Sequence, residues 1–163
     1  RLAYSLAELE RNTLHALREM RLLLYELRPA DLEQEGLARA IQLRLDTVER
    51  RVGLRLDVHL EELPALSPRA EVELYHVIVE GLNNVIKHAA ASRLSVLLEA
   101  MDSQLHLRIA DDGKGFDLTQ RTGGLGLRNL RERVARLHGQ LAIASAPGRG
   151  TQVDAVIPYP LET

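Results

Sequence analysis

The chain contains no cysteine and no tryptophan. Without cysteine there is no disulfide framework, no thiolate metal site and no cysteine nucleophile, a composition that fits a reducing compartment. Aromatic residues make up 3% of the 163 residues, four Tyr and one Phe. That is too few for the stacking platforms that hold single-stranded nucleic acids. A basic surplus is missing as well. Lys+Arg 21 against Asp+Glu 23 leaves a formal charge of -2, which argues against a nucleic acid or a membrane surface as partner. No apolar run approaches the ~18 residues of a membrane span, and no signal peptide is visible. The expectation is a cytoplasmic chain, whether or not its parent protein is anchored in a membrane. Lysine is scarce too: Lys87 and Lys114 are the two lysines among the 21 basic residues.

What is present is an ordinary globular balance, 45% hydrophobic and 27% charged, in a chain long enough to bury roughly 70% of its unfolded surface. The first segment carries a heptad. Leu2, Leu6, Leu9, Thr13, Ala16, Met20, Leu23 and Leu27 alternate spacings of four and three, the seam of a coiled coil or helical bundle. Arg28-Pro29 ends it, because proline disfavours helical geometry in the residue before it. One such seam cannot bury itself, so it predicts a partner helix from a second copy or from sequence upstream, and the chain reads as a piece of a longer protein. The acidic connection from Pro29 to Gly36 is expected to be a hinge. Leu37, Ile41, Leu45, Val48 and Val52 then predict a second amphipathic helix, stopped by Gly53.

From Leu54 the period changes to two. Strands are predicted at 54–60, 94–100, 105–109, 141–145 and 151–157, with a tight turn at Asp102-Ser103-Gln104. Ser67-Pro68 is a helix start, N-cap followed by proline at the first helical position, and its helix is expected to reach about Ala90. A last helix runs from Arg128 to about Leu137. Strands grouped in hairpins with intervening helices indicate an α+β sandwich, a mixed or antiparallel sheet covered by helices.

Three breaks in this pattern carry chemistry. On the helix after Ser67, Tyr75, Ile78, Val79, Leu82, Val85, Ile86 and Ala89 define an apolar face. His76, Glu80, Asn83, Asn84 and Lys87 gather opposite, with His88 at the edge. The stripe fits a solvated face, but paired Asn is poor mid-helix chemistry. Glu and Asn one turn apart also suit Mg²⁺, with a lysine one turn on for phosphate. The second break is Asp111, in phase with inward-facing Leu105, Leu107 and Ile109. A carboxylate there is costly unless hydrogen-bonded, and it can select an exocyclic amine. Asp112-Gly113-Lys114-Gly115-Phe116 after it reads equally as a turn. Third, Gly123-Gly124-Leu125-Gly126-Leu127 precedes a helix N-terminus, where backbone N–H groups favour phosphate. Its spacing matches neither the dinucleotide fingerprint nor a Walker loop. Thr151, in phase with Val153, Ala155 and Ile157, adds an inward hydroxyl, or only a β-branched strand residue.

Taken in order, Glu80-x3-Asn84, Asp111-x-Gly113-x-Gly115, Gly124-x-Gly126 and Gly150-Thr151 resemble the ATP-binding boxes of the GHKL superfamily. Within it the chain is most similar to sensor histidine kinases of the NarX/DesK/LiaS type, through Leu27-Arg28-Pro29 and the run from Gly126 to Arg133. The resemblance implies a Bergerat-type α/β sandwich over 29–163, preceded by one long helix, 1–28, from a dimerisation bundle. It implies ATP and Mg²⁺, with Asn84 and Glu80 at the metal, Lys87 facing phosphate, His88 among the nucleotide-binding residues, and Asp111, with Thr151, at the adenine amine. Gly113 and Gly115 would shape the pocket, and Gly124, Leu125, Gly126 and Leu127 belong to a short lid. It further implies phosphoryl transfer to a histidine, a response regulator as partner, and homodimerisation through the bundle.

The acceptor box is not found. His15 sits beside the heptad seam in unmatched surroundings, so the isolated chain is expected not to phosphorylate itself. His59, His106 and His138 are expected to be solvated, and no zinc-type spacing occurs. Two other readings remain: a nucleotide-dependent regulator, either an anti-sigma-like serine kinase or a partner-binding pseudo-kinase, and a pure dimerisation module.

Overall fold

The computed structural model describes residues 30–119 and 125–159. The heptad helix over 1–28, His15 and the glycine pair Gly123-Gly124 lie outside the described residues.

Period-two patterning produces five strands: β1 (Arg55–Leu60), β2 (Arg93–Met101), β3 (Gln104–Asp111), β4 (Gln140–Ser145) and β5 (Thr151–Pro158). They form one sheet in the order β1-β2-β3-β5-β4. β1 runs parallel to β2 and every other pair is antiparallel, so the sheet is mixed, as expected. The β2–β3 hairpin turns on Asp102 and Ser103, both at positive φ (51° and 59°), the geometry that matches the twist of the flanking strands. Leu94, Val96 and Leu98 of β2, Leu105, Leu107 and Ile109 of β3, and Val153, Ala155 and Ile157 of β5 are all buried on one face. The opposite face is polar. Arg108 and Asp154 stand directly across β3 and β5 and form an ion pair at 2.6 Å.

Four α-helices are described: α1 (Ala30–Glu35), α2 (Leu37–Val52), α3 (Pro68–Asn84) and α4 (Leu125–Arg136). The segment expected to be a hinge is α1, and its Leu32 is fully buried in the core. A leucine there anchors the chain, and composition alone had hidden it. α2 ends as the sequence indicates, with Gly53 at φ 70° donating its N–H to the Glu49 carbonyl. α3 begins where Ser67 Oγ accepts the Ala70 N–H at 3.3 Å, and it forms the crossover between the parallel strands β1 and β2.

The last turn of α3's path, Val85–Ala89, widens to a π-helix and closes on Ala90 at φ 50°. This corrects the apolar face drawn from the sequence. Ile86 is exposed, while Leu74, Val77 and Gly81 join the buried side. The extra residue in the π-turn accounts for Ile86, whereas Leu74, Val77 and Gly81 precede it in the regular helix, whose buried stripe is wider than the spacing indicated. α4 starts at Leu125, one turn earlier than predicted, and stops at His138 in the left-handed region, φ 55°.

α3 and α4 pack antiparallel. Glu73, Glu80 and Asn84 share the side of α3 turned to α4, where Glu80 and Asn84 meet Gly126 and Glu73 meets Arg133, seven residues on. Arg133 is 8% exposed, and its Nη1 lies 2.8 Å from Glu73 Oε2. The half-exposed Arg136 joins the same carboxylate at 3.2 Å. His76, near this pair, has its pKa pushed down to about 4 by burial and by the Arg133 charge, so it is neutral at pH 7.

Removing one partner of a desolvated pair leaves an uncompensated charge. Glu73→Ala is therefore expected to cost about 3 kcal/mol in urea unfolding, and Arg136→Ala less than about 1 kcal/mol. Equal losses would contradict this assignment of the buried pair.

Candidate functional site

Between α3, α4 and the ends of β3 and β5 lies a cavity of about 250 Å³. Gly81, Asn84, Val85, His88 and Ala89 line it from α3 and the π-turn; Ile109, Asp111, Gly115 and Phe116 from β3 and the loop after it; Gly126 and Leu127 from α4; Thr151 and Val153 from β5. The walls are mostly apolar with a few polar groups at the rim, the usual make-up of a small-molecule site.

Asp111 sits at the end of β3, paired across the sheet with Leu94 on one side and Thr151 on the other. Its Oδ1 accepts the Gly113 N–H at 2.8 Å. Burial raises its pKa above the ordinary carboxylate value, while hydrogen bonds from the Gly113 and Thr151 backbone hold the rise in check. Asp112, exposed beside it, has a different task. Its carboxylate accepts the N–H groups of Ser92 (2.7 Å) and Arg93 (2.8 Å), fastening the start of β2. Asp111 thus stays paired in β3 and is not a frayed strand end.

Gly113 is buried against the π-turn. The Lys114 N–H next to it reaches the Ala89 carbonyl at 2.8 Å, and a Cβ on Gly113 would overlap that same carbonyl. The widened turn therefore docks the loop that carries Gly115 and Phe116 into the cavity wall.

The paired asparagines separate. Asn83 Oδ1 accepts from Arg44 of α2 at 3.4 Å, whereas Asn84 faces the cavity. Its amide nitrogen is buried with no hydrogen-bond partner among the described residues. A Cβ on Gly126 would stand 2.6 Å from Asn84 Oδ1 and 2.8 Å from Glu80 Oε1. Only glycine lets the start of α4 approach these oxygens. The two oxygens suit a hard cation that keeps most of its ligands from water and phosphate, and the unpaired amide nitrogen is a donor that fits an acceptor such as a phosphate or water oxygen.

Of the residues singled out in the sequence, the cavity brings together Asn84, His88, Asp111, Gly115, Gly126, Leu127 and Thr151. Glu80 borders it through Gly126, Gly113 supports it from behind, and Lys87 is exposed and lines nothing. Gly124 and the Leu125 side chain lie outside the described residues. Among the described residues, no three His, Cys, Asp or Glu side chains gather as a metal cluster, and no helix is long and apolar enough to cross a membrane.

Sequence reasoning missed Gly81, Phe116 and Ser145. The signal for Gly81 is its own cost, a glycine in a helix interior. A Cβ there would meet Ile109 Cδ1 at 2.5 Å. Phe116 follows the Gly-Lys-Gly turn directly. Ser145, in phase with Leu141 and Ile143, accepts the Phe116 N–H at 3.0 Å and lies 3.0 Å from Thr151 Oγ1.

Comparison with known proteins gives one consistent answer. The family model "Histidine kinase-, DNA gyrase B-, and HSP90-like ATPase" matches residues 69–161. The sensor histidine kinase LiaS of Bacillus subtilis (strain 168) is 34% identical over 141 residues, 86% of this chain and 39% of that protein. The signal transduction histidine-protein kinase/phosphatase UhpB of Salmonella typhimurium is 39% identical over 142 residues, 85% of this chain and 28% of that one. The chain thus spans well under half the length of these relatives. Among solved structures, the Acinetobacter baumannii histidine kinase AdeS superposes with a TM-score of 0.63 at 21% identity, over 93% of this chain and 84% of that one.

Because Asp111 has its pKa raised by folding, its charge opposes the fold at neutral pH. Stability linked to it is full below the unfolded value of 3.8 and is lost as pH rises through the folded one. Asp111→Asn should melt higher than the parent chain at pH 7, with the gap closing towards pH 3.8 in a melting series. A lower melting temperature at pH 7 would count against this placement.

Proposed function

The chain belongs to the family of histidine kinase-, DNA gyrase B- and HSP90-like ATPases, and we propose that it is the ATP-binding catalytic part of a two-component sensor histidine kinase. The observation that carries the reading is the half-buried Asp111 carboxylate at the end of an apolar cavity whose other rim holds Asn84.

In this reading the adenine ring lies between the apolar walls from Val85, Ala89, Ile109 and Val153. Asp111 accepts from its exocyclic amine, and Thr151 completes that rim. A charged acceptor in a cavity of low polarity discriminates strongly, because a base without the donor leaves the carboxylate unpaired. The phosphates run towards the start of α4, where Gly126 and Leu127 supply backbone at a helix N-terminus, with His88 at the rim and Lys87 close by in sequence. Asn84 and Glu80 would hold Mg²⁺, whose chemistry is to neutralise charge on the phosphate oxygens. The chain's own share in phosphoryl transfer is positioning and electrostatic stabilisation, the main contributions to this reaction class. The γ-phosphoryl group would pass to a histidine on a bundle helix upstream of the heptad, and from there to a response regulator. Residues 1–28 would pair in a homodimeric bundle and 29–163 form the catalytic domain, in a cytoplasmic part of the parent protein. Names such as LiaS and UhpB support the sensor-kinase reading over a serine kinase or partner-binding regulator.

Calorimetric titration tests this. The chain should bind ADP and a non-hydrolysable ATP analogue saturably, with Mg²⁺ tightening the triphosphate. Asp111→Asn should weaken both by about 30-fold or more. Asn84→Ala should abolish the Mg²⁺ increment and leave ADP binding in Mg²⁺-free buffer within a few-fold. No saturable binding by the folded chain would end the reading.

A further inference from the structure

Glu73 and Arg133 line no part of the cavity, yet they stand on the two helices that form one of its rims. Glu73 and Glu80 are seven residues apart on α3, and Gly126 and Arg133 are seven apart on α4. Seven residues come close to two helical turns, so each pair falls on one stripe. The helices run antiparallel, with Glu73 meeting Arg133 and Glu80 meeting Gly126. Equal intervals on both sides tie the two contacts together: once Arg133 stands opposite Glu73, Gly126 stands opposite Glu80. Leu130, Val134 and Leu137 bury the rest of α4. Such burial is non-directional, and packed helices shift past one another by about 1–2 Å. The polar contacts are less forgiving. Both Glu73 oxygens are engaged, Oε2 by Arg133 at 2.8 Å and Oε1 by Arg136 at 3.2 Å. A Cβ on Gly126 would stand 2.6 Å from Asn84 Oδ1, so the backbone there already lies close to the rim.

We propose that Glu73 is a positioning residue for the nucleotide site: its pairing with Arg133 sets α4 on α3 so that Gly126 stays against Glu80 and Asn84. The side chains of the pair are 13% and 10% exposed, and desolvation offsets much of their attraction. Fixing register is the best-attested use of such a pair. Without it, the apolar contacts still bury α4 but no longer specify its axial placement. The sheet end of the cavity, at Asp111, is untouched, while the α4 end moves away from Glu80 and Asn84.

This inference rests on the nucleotide reading above, and the test separates the two. Replacing both partners by apolar residues of similar volume is often neutral or stabilising, so Glu73→Leu/Arg133→Met should keep at least the parent's urea midpoint. In that variant, affinity for the Mg²⁺-loaded, non-hydrolysable ATP analogue should fall by about tenfold in calorimetry, and ADP affinity in Mg²⁺-free buffer by no more than about threefold. Arg136→Ala should leave both affinities at the parent values. A second readout needs no nucleotide: in the parent chain the Gly126 α-protons should give NOEs to the Asn84 side-chain amide. These should be lost in the double variant while NOEs from Leu130 to the core persist. An unchanged affinity for the loaded analogue, equal losses of both ligands, or Gly126–Asn84 NOEs that survive in the double variant would each overturn the proposal. A parent chain that shows the NOEs but binds neither nucleotide counts against the nucleotide reading instead. Should the double variant not fold, Glu73→Gln, which keeps the shape and removes the charge, is read by the same criteria.

Discussion

The structure depends on how one helix divides its circumference. α3 has to fill the core, meet α2, seat α4 and furnish a cavity rim, and each duty claims a stripe of side chains. Leu74, Ile78 and Leu82 supply the core, and Asn83 goes to α2. The remaining stripe, Glu73, Glu80 and Asn84, is polar and yet turned towards a neighbouring helix. Placing carboxylates in such a seam is costly unless something meets them. At one end Arg133 does so with a 2.8 Å contact. At the other no ion-pair partner is found among the described residues, and Gly126 brings bare backbone against Glu80 and Asn84. The same seam is thus closed by charge pairing at the Arg133 end and left chemically open at the Gly126 end, and the open end is where the cavity lies.

The sheet makes the complementary contribution. Asp111 and Thr151 end their strands side by side, where the inward alternation that buries Ile109 and Val153 reaches the rim. The segment 113–116 after β3 is held from two directions, by the π-turn through Ala89 and by Ser145 through Phe116. A loop fixed in this way keeps its backbone dipoles and its one phenylalanine in place before any ligand arrives, which lowers the ordering cost of binding.

Much of this was legible in the sequence because period and phase are robust signals. The five strands, the Ser67-Pro68 helix start and the inward phase of Asp111 and Thr151 all follow from residue spacing. Three things did not. The π-turn was invisible because periodicity assumes a constant rotation per residue, so Ile86 was assigned to the core and is exposed. Leu32 was masked by its acidic neighbours, which made an exposed helix anchored by one buried leucine resemble a hinge. Ser145 was in phase with Leu141 and Ile143, but a small polar residue at a strand end has no hydrophobic signature, and its importance comes from hydrogen bonds to segments 29 and 5–6 residues away. Phase identifies which side chains point inward, whereas partners across the fold decide what those side chains do.

Strand order has a consequence for how the molecule comes into being during translation. β5, made after the other four strands, is threaded between β3 and β4 and is β4's one neighbour among the described strands. A nascent chain that has emerged only as far as Gly150 has α3, Asp111 and α4, but β4 has nothing to pair with and the rim lacks Thr151 and Val153. Competence to hold a ligand therefore arrives with this eight-residue strand rather than accumulating gradually. Ligand present at that moment selects chains in which β5 has docked.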